Sequence, residues 1–337
     1  MKLGLVGVGR IGAFHAETLS RIEAVETLVI ADAQPGRASA VAAELKGKLN
    51  IEVAEGTEAL LTSGIAGVVI AAATDAHPTL LRAAVDAGLA VFCEKPLAPS
   101  AAEAARLARD VVGHGERIQI GYPRRFDAGF VMAREALGSG RLGWLHSIYS
   151  TTLDPAPPPR DYVAVTGGIF RDCSIHDFDA IRWVTGREVV EVYATGSNRG
   201  EEWIRELGDV DTAATILTLD DGTLAVVSNT RYNARGYDVR LELHGSEDSI
   251  AAGLDDRLPL GSAEPGVTFP AGTPHHFFMD RFADAFRAEL LAFTEVVAGE
   301  QTSRCTVADA IESEWVAEAA TLSLHAGRPV RVDKVRD

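Results

Sequence analysis

The apolar run KLGLVG at residues 2–7 passes directly into GVGRIG, and residues 10–21 beyond it are rich in helix formers. A strand that turns through glycines into a helix leaves little choice of fold. Gly7 permits a tight turn, Gly9 lets a pyrophosphate approach the backbone, and Gly12 lets helix and strand pack closely. The phosphates then rest on amides at the helix start, around Arg10 and Ile11. Three glycines at this spacing are a weak signal by themselves. A second apolar run at 27–31, however, ends in Asp32, 20 residues beyond Gly12, where a carboxylate that accepts the ribose hydroxyls is expected. A solvated strand end is the plainer reading of Asp32 and matches the spacing less well. We therefore expect NAD, with the carboxylate repelling a 2'-phosphate, although Arg37 nearby carries the opposite charge.

Helix and strand then alternate: helix 35–46, strand 67–72, helix 78–87, strand 90–93 and a last strand at 118–121. This is the pattern of a doubly wound parallel sheet, an α/β Rossmann domain over residues 1–121, which binds ligands at the carboxyl ends of its strands. Ala73, Thr74 and His77 follow one such end and are placed beside the cofactor. His77 directly precedes Pro78 and serves equally well as the residue at a helix entrance. Another strand, VFC, ends in Glu94, Lys95 and Pro96. A charged pair there is ordinary unless something else in the chain calls for it.

Residues 122–337 change character. A stiff loop, DPAPPPRDY, follows a strand at 144–152, and residues 211–219 and 223–230 flank Asp221–Gly222 as an antiparallel hairpin. With strands at 189–195 and 237–244, this second domain reads as α+β on a mostly antiparallel open sheet, with a C-terminal helix able to pack back on the first domain. The stretch TGGIFRDCSIHDFDAIRWVTG at 166–186 is periodic enough for a helix. Ile175, Phe178, Ile181 and Val184 would face the sheet, and Asp172, His176, Asp179 and Trp183 form another stripe able to line a cleft. Asp172 and His176 lie one turn apart, so the carboxylate could orient the imidazole; an exposed polar pair is the plainer alternative.

Taken together, GVGRIG, EKP at 94–96 and GGIFRDCSIHDFD at 167–179 resemble the glucose-fructose oxidoreductase/inositol dehydrogenase/MocA family over almost the whole chain. The resemblance implies a catalytic set of Lys95, Asp172 and His176 beside the nicotinamide. Lys95 would reach into the cleft between the domains, Glu94 would fix the turn, and both would lie near the cofactor. Within the family, GYPRRFDAGF, the proline loop and HDFD are most similar to inositol 2-dehydrogenases. That likeness assigns Lys95, Arg124, Arg125, Asp172, His176, Tyr237 and His276 to the substrate. It implies NAD-dependent oxidation of a secondary alcohol of a cyclic polyol or sugar to a ketone. Alternatives are oxidation of another sugar, an NAD-dependent glycosidase of the same fold, or a cofactor-binding regulator; retention of the three catalytic residues argues against the last. Two departures fall in the implied pocket: Pro123 stands where these enzymes carry methionine, and Phe286 where they carry a tyrosine. Loss of that hydroxyl would alter discrimination among polyols.

A net charge of −16, from 32 basic and 48 acidic residues, would repel nucleic acid and anionic membrane surfaces, which leaves a small-molecule partner. No apolar run reaches membrane-spanning length, and Cys93, Cys173 and Cys305 have neither disulfide nor zinc spacing, so a cytoplasmic protein with reduced thiols and no metal is expected. His275 and His276 precede a helix near Phe277 and are placed toward the pocket. Ile216, Leu217, Leu224 and Val226 cannot all face one core, which predicts a homo-oligomer; the family resemblance implies a tetramer.

Overall fold

A computed structural model describes residues 1–47 and 49–336. The chain divides into two compact units, Met1–Pro123 with Asp284–Ile311, and Arg124–Ala283 with Glu312–Asp337. The first is built on six strands, β1 (Lys2–Val6), β2 (Thr27–Ala31), β3 (Asn50–Val53), β4 (Gly67–Ile70), β5 (Ala90–Glu94) and β6 (Ile118–Gly121). They are all parallel, in the order β3-β2-β1-β4-β5-β6. The order reverses beside β1, and that reversal opens a crevice at the carboxyl ends of the strands. Leu3, Leu5, Leu28, Ile30, Val69 and Phe92 are wholly buried, as strands covered on both faces require. The edge strand β3, NIEV, is largely exposed, and its half-polar run gave no apolar signal in the sequence.

A helix from late in the chain completes this unit. In Ala283–Ala298, Phe293 packs edge-on to Phe92 at 5.9 Å between ring centroids, and the Glu289 carbonyl accepts from Gln119 Nε2 at 2.9 Å.

The second unit carries β7 (Leu145–Leu153), β8 (Val189–Ser197), β9 (Thr212–Leu219), β10 (Leu224–Thr230), β11 (Asp238–Gly245), β12 (Ser249–Ala252) and β13 (Val330–Arg331). Their order is β12-β11-β7-β10-β9-β8-β13, antiparallel except for the central pair β7 and β10. The expected hairpin joins β9 to β10, with Asp221 Oδ1 accepting from Thr223 N at 3.0 Å and Gly222 at φ +89°. On one face Ile148, Val192, Leu217, Val227 and Leu241 are buried, as are Ile175, Phe178, Ile181 and Val184 of the helix Ile175–Thr185. The other face is open: register aligns Tyr193, Ile216, Val226 and Tyr149 in one row across β8, β9, β10 and β7, and three of the four are exposed. Among the described residues no helix is long and apolar enough to cross a membrane.

Candidate active site

In the first unit the glycine turn obeys three separate demands. Gly7 sits at φ +86°, and a Cβ there would stand 2.6 Å from the Ala72 Cα. A Cβ on Gly12 would come within 1.9 Å of the Gly7 carbonyl oxygen, so turn and helix can close only on a hydrogen. At Gly9, by contrast, a Cβ would meet nothing within 4 Å: the backbone borders open space at the start of the helix Arg10–Leu19. Arg10 is exposed there and Ile11 half-buried. Asp32 follows β2; its Oδ2 accepts from Val8 N at 2.8 Å and its Oδ1 from Gln34 N at 2.7 Å. One carboxylate thus fixes both the glycine turn and the loop after β2. Arg37 Nη1 lies 3.3 Å from Asp32 Oδ1, so this carboxylate draws the neighbouring cation toward itself. Open backbone at a helix start, with an anchored carboxylate beyond it, fits a dinucleotide.

Ala73 is exposed and Thr74 half-buried at the carboxyl end of β4. His77 departs from its expected place at the cofactor. It is 1% exposed, with Nδ1 2.8 Å from the Pro96 carbonyl and Nε2 3.1 Å from that of Ala72; the neutral ring donates its one N–H to one of these carbonyls and presents no ring edge. Burial is the dominant influence and holds its pKa below the ordinary value, although both carbonyls pull the other way.

Lys95 is half-buried and joined to Pro96 by a cis peptide. The Glu94 side chain takes an internal role: its Oε1 lies 2.6 Å from Nε2 of His15, whose side chain has no exposure. Phe14, Phe92 and Phe286 surround that pair, and Phe286 meets Phe14 edge-on at 5.3 Å and His15 at 5.7 Å. The expectation that Phe286 replaces a substrate-touching tyrosine therefore gives way to a packing role, since the ring is 3% exposed. His15 escaped the sequence reading because its partner lies 79 residues away.

In the second unit the expected helix begins with a π-helical turn, Phe170–Ser174, and becomes α-helical at Ile175–Thr185. Asp172 and His176 are both half-buried on it. Asp172 is held at both oxygens, with Tyr162 Oη donating to Oδ1 and Arg231 Nη1 to Oδ2, each at 3.1 Å. Arg231 also reaches Asp209 Oδ2 at 3.3 Å, and Asp209 Oδ1 accepts from Ile169 N at 2.9 Å. None of Tyr162, Asp209 or Arg231 stood out in the sequence, since each is a single polar residue on a separate segment.

The acidic residues that follow depart from the expected stripe. Asp179 is buried and forms a two-pronged pair with Arg125, at 2.7 and 3.0 Å. Asp177, also buried, accepts from Arg124 Nη1 (2.7 Å), Ser150 Oγ (2.6 Å), Thr152 Oγ1 (2.9 Å) and Asn229 Nδ2 (2.8 Å). Arg124 and Arg125 are thus committed to internal carboxylates, because a guanidinium is stable out of water only when so paired. This replaces the substrate-binding role expected of them. Arg160 bridges to Glu206 at 3.0 Å. Tyr237 is buried, and burial pushes its phenol well up, with Arg124 partly opposing, so it stays protonated. His276 is exposed and its main-chain N–H donates to Asp280 at 3.2 Å, while the His275 ring lies 3.2 Å from the same carboxylate: both histidines serve the helix entrance. All three cysteines are free and buried, and burial pushes the Cys173 thiol well up, which suits packing.

Residues 1–122 match the model of an oxidoreductase family with an NAD-binding Rossmann fold, and residues 130–251 match the GFO/IDH/MocA C-terminal domain. The chain is 35% identical to the myo-inositol 2-dehydrogenase of Thermotoga maritima, over 99% of each chain. A solved myo-inositol dehydrogenase from Corynebacterium glutamicum superposes with a TM-score of 0.89 at 31% identity, covering 98% of both chains. The scyllo-inositol dehydrogenase of Lactobacillus casei, solved with NAD(H) and scyllo-inositol, gives 0.86 at 27% identity over 99% of each.

Proposed function

Because the chain belongs to the GFO/IDH/MocA family of NAD-dependent oxidoreductases, we propose that it oxidises one ring hydroxyl of an inositol, myo or scyllo, to the ketone. Bound NAD supplies the hydride acceptor. His176 removes the hydroxyl proton, and Asp172 orients the imidazole. Lys95 donates a hydrogen bond to the same oxygen, a contact that strengthens as negative charge develops there and so acts on the transition state more than on binding. The observation that carries this reading is the state of Asp172: a half-buried carboxylate fastened at both oxygens, one turn from a half-buried histidine. Such rigidity is out of place in an exposed polar pair and suits an orienting group. Tyr237, held protonated, is a further donor for a substrate hydroxyl. Asp32 receives the adenosine ribose. We assign the chain to the cytoplasm on its three free, buried cysteines, and assemble it as a tetramer through the open face of the second sheet.

The test is NADH formation with a panel of inositols and monosaccharides. Stoichiometric NADH is expected with at least one inositol, and a glycosidase would show none. Lys95→Ala and His176→Ala should each lower kcat by about a hundredfold or more while NAD still binds. Near-normal single-turnover rates in both variants would remove the assignment.

A further inference from the structure

Arg231 has no exposed side-chain surface and lies between two carboxylates, Asp172 Oδ2 at 3.1 Å and Asp209 Oδ2 at 3.3 Å. A guanidinium taken out of water must be paired, and one carboxylate would suffice for that. The second does something more specific. Asp209 is anchored through its other oxygen by the main-chain N–H of Ile169, three residues before Asp172 and next to the π turn that carries it. Asp209, Arg231 and Asp172 therefore form a closed loop through the backbone: the guanidinium is located by one end of the turn and locates the other. Tyr162 closes the remaining oxygen of Asp172.

Charge follows the same line. An unaccompanied Asp172 would present its full negative charge to an imidazole one turn away and raise its basicity. Arg231 offsets that charge, and Asp209 offsets part of Arg231. Tyr162, Cys173, Asp154 and Asp177 are the other titratable groups around this network, with the Cys173 thiol held neutral by burial. Resting on the assignment of His176 as base, we propose that Arg231 is a positioning residue for the reaction: held by Asp209, it fixes Asp172 and sets how much of the carboxylate's charge reaches His176.

Opposite substitutions should have opposite signs. Arg231→Gln removes the cation, so the acidic limb of kcat/KM against pH should move up by about 0.5 unit or more, with kcat lowered roughly tenfold to a hundredfold and the KM for NAD unchanged. Asp209→Asn keeps an oxygen for the Ile169 N–H but loses the charge, and should move the limb down. Arg231→Lys should restore the limb and most of kcat. A merely structural arginine would lower thermal stability and active fraction yet leave the limb of both variants where it is, and that result would overturn the proposal. If Arg231→Gln fails to fold, the directions in Asp209→Asn and Arg231→Lys decide. His176→Ala separates the two levels: unchanged hydride transfer there rejects the base assignment itself, whereas its loss with unmoved limbs rejects only the role of Arg231.

Discussion

Gly7, Gly9, Gly12 and Asp32 could be read from the sequence because each answers a demand that only one or two residue types can meet. A positive φ, an approach of 1.9 Å or a carboxylate at a fixed distance from a turn leaves its mark as spacing. His15 and His77 left no such mark. Their partners are a side chain 79 residues away and carbonyls of two different loops, and any residue pair can be brought together by a fold. His77 nevertheless makes a definite prediction. Its folded pKa lies below the ordinary value near 6.5, so between the two the unfolded chain binds more protons and stability rises with pH. The contribution is present above pH ~6.5 and is lost as pH falls. Denaturation of the protein and of His77→Gln should thus differ by about 1–3 kcal/mol at pH 7.5, a gap that narrows below pH ~6.5; a gap that is constant or widens on acidification would contradict it.

At the scale of elements, helical spacing located the segment at 166–186 and its buried face, Ile175, Phe178, Ile181 and Val184. It failed for the polar stripe. Spacing of four, three and four residues placed Asp179 in line with Asp172 and His176, but Asp179 faces a buried guanidinium. No periodicity in one segment can reveal a partner such as Arg125, 54 residues earlier. Asp179→Asn should take the charge from that two-pronged pair and cost about 3–5 kcal/mol, whereas the paired change Arg125→Met with Asp179→Leu should recover most of the loss. Chemical denaturation of the three proteins measures this, and an Asp179→Asn variant as stable as the parent would show the pair to be dispensable.

For the whole molecule, alternation of helix and strand made the parallel sheet legible, and the hairpin made β9 and β10 so. The central parallel pair β7 and β10 was not, because that contact leaves no local pattern. The open face of the second sheet carries the proposed assembly. Ile216 and Leu224 are 44% and 48% exposed there, a poor state for branched apolar side chains on regular strands. Ile216→Lys with Leu224→Glu should leave the fold intact and, by light scattering at micromolar protein, convert a tetramer to smaller species; an unchanged mass would place the interface elsewhere.

The helix Ala283–Ala298 also bears on how the protein is made. It supplies Phe293 to Phe92 and a carbonyl to the buried Gln119, both in a sheet whose last strand ends at Gly121. A ribosome delivers β5 and β6 more than a hundred residues before it delivers the helix that covers them, and the whole second sheet from β7 to β12 emerges in the interval. The nascent dinucleotide-binding sheet must wait through that time with part of its apolar surface uncovered, the condition in which partly made chains capture chaperones or one another.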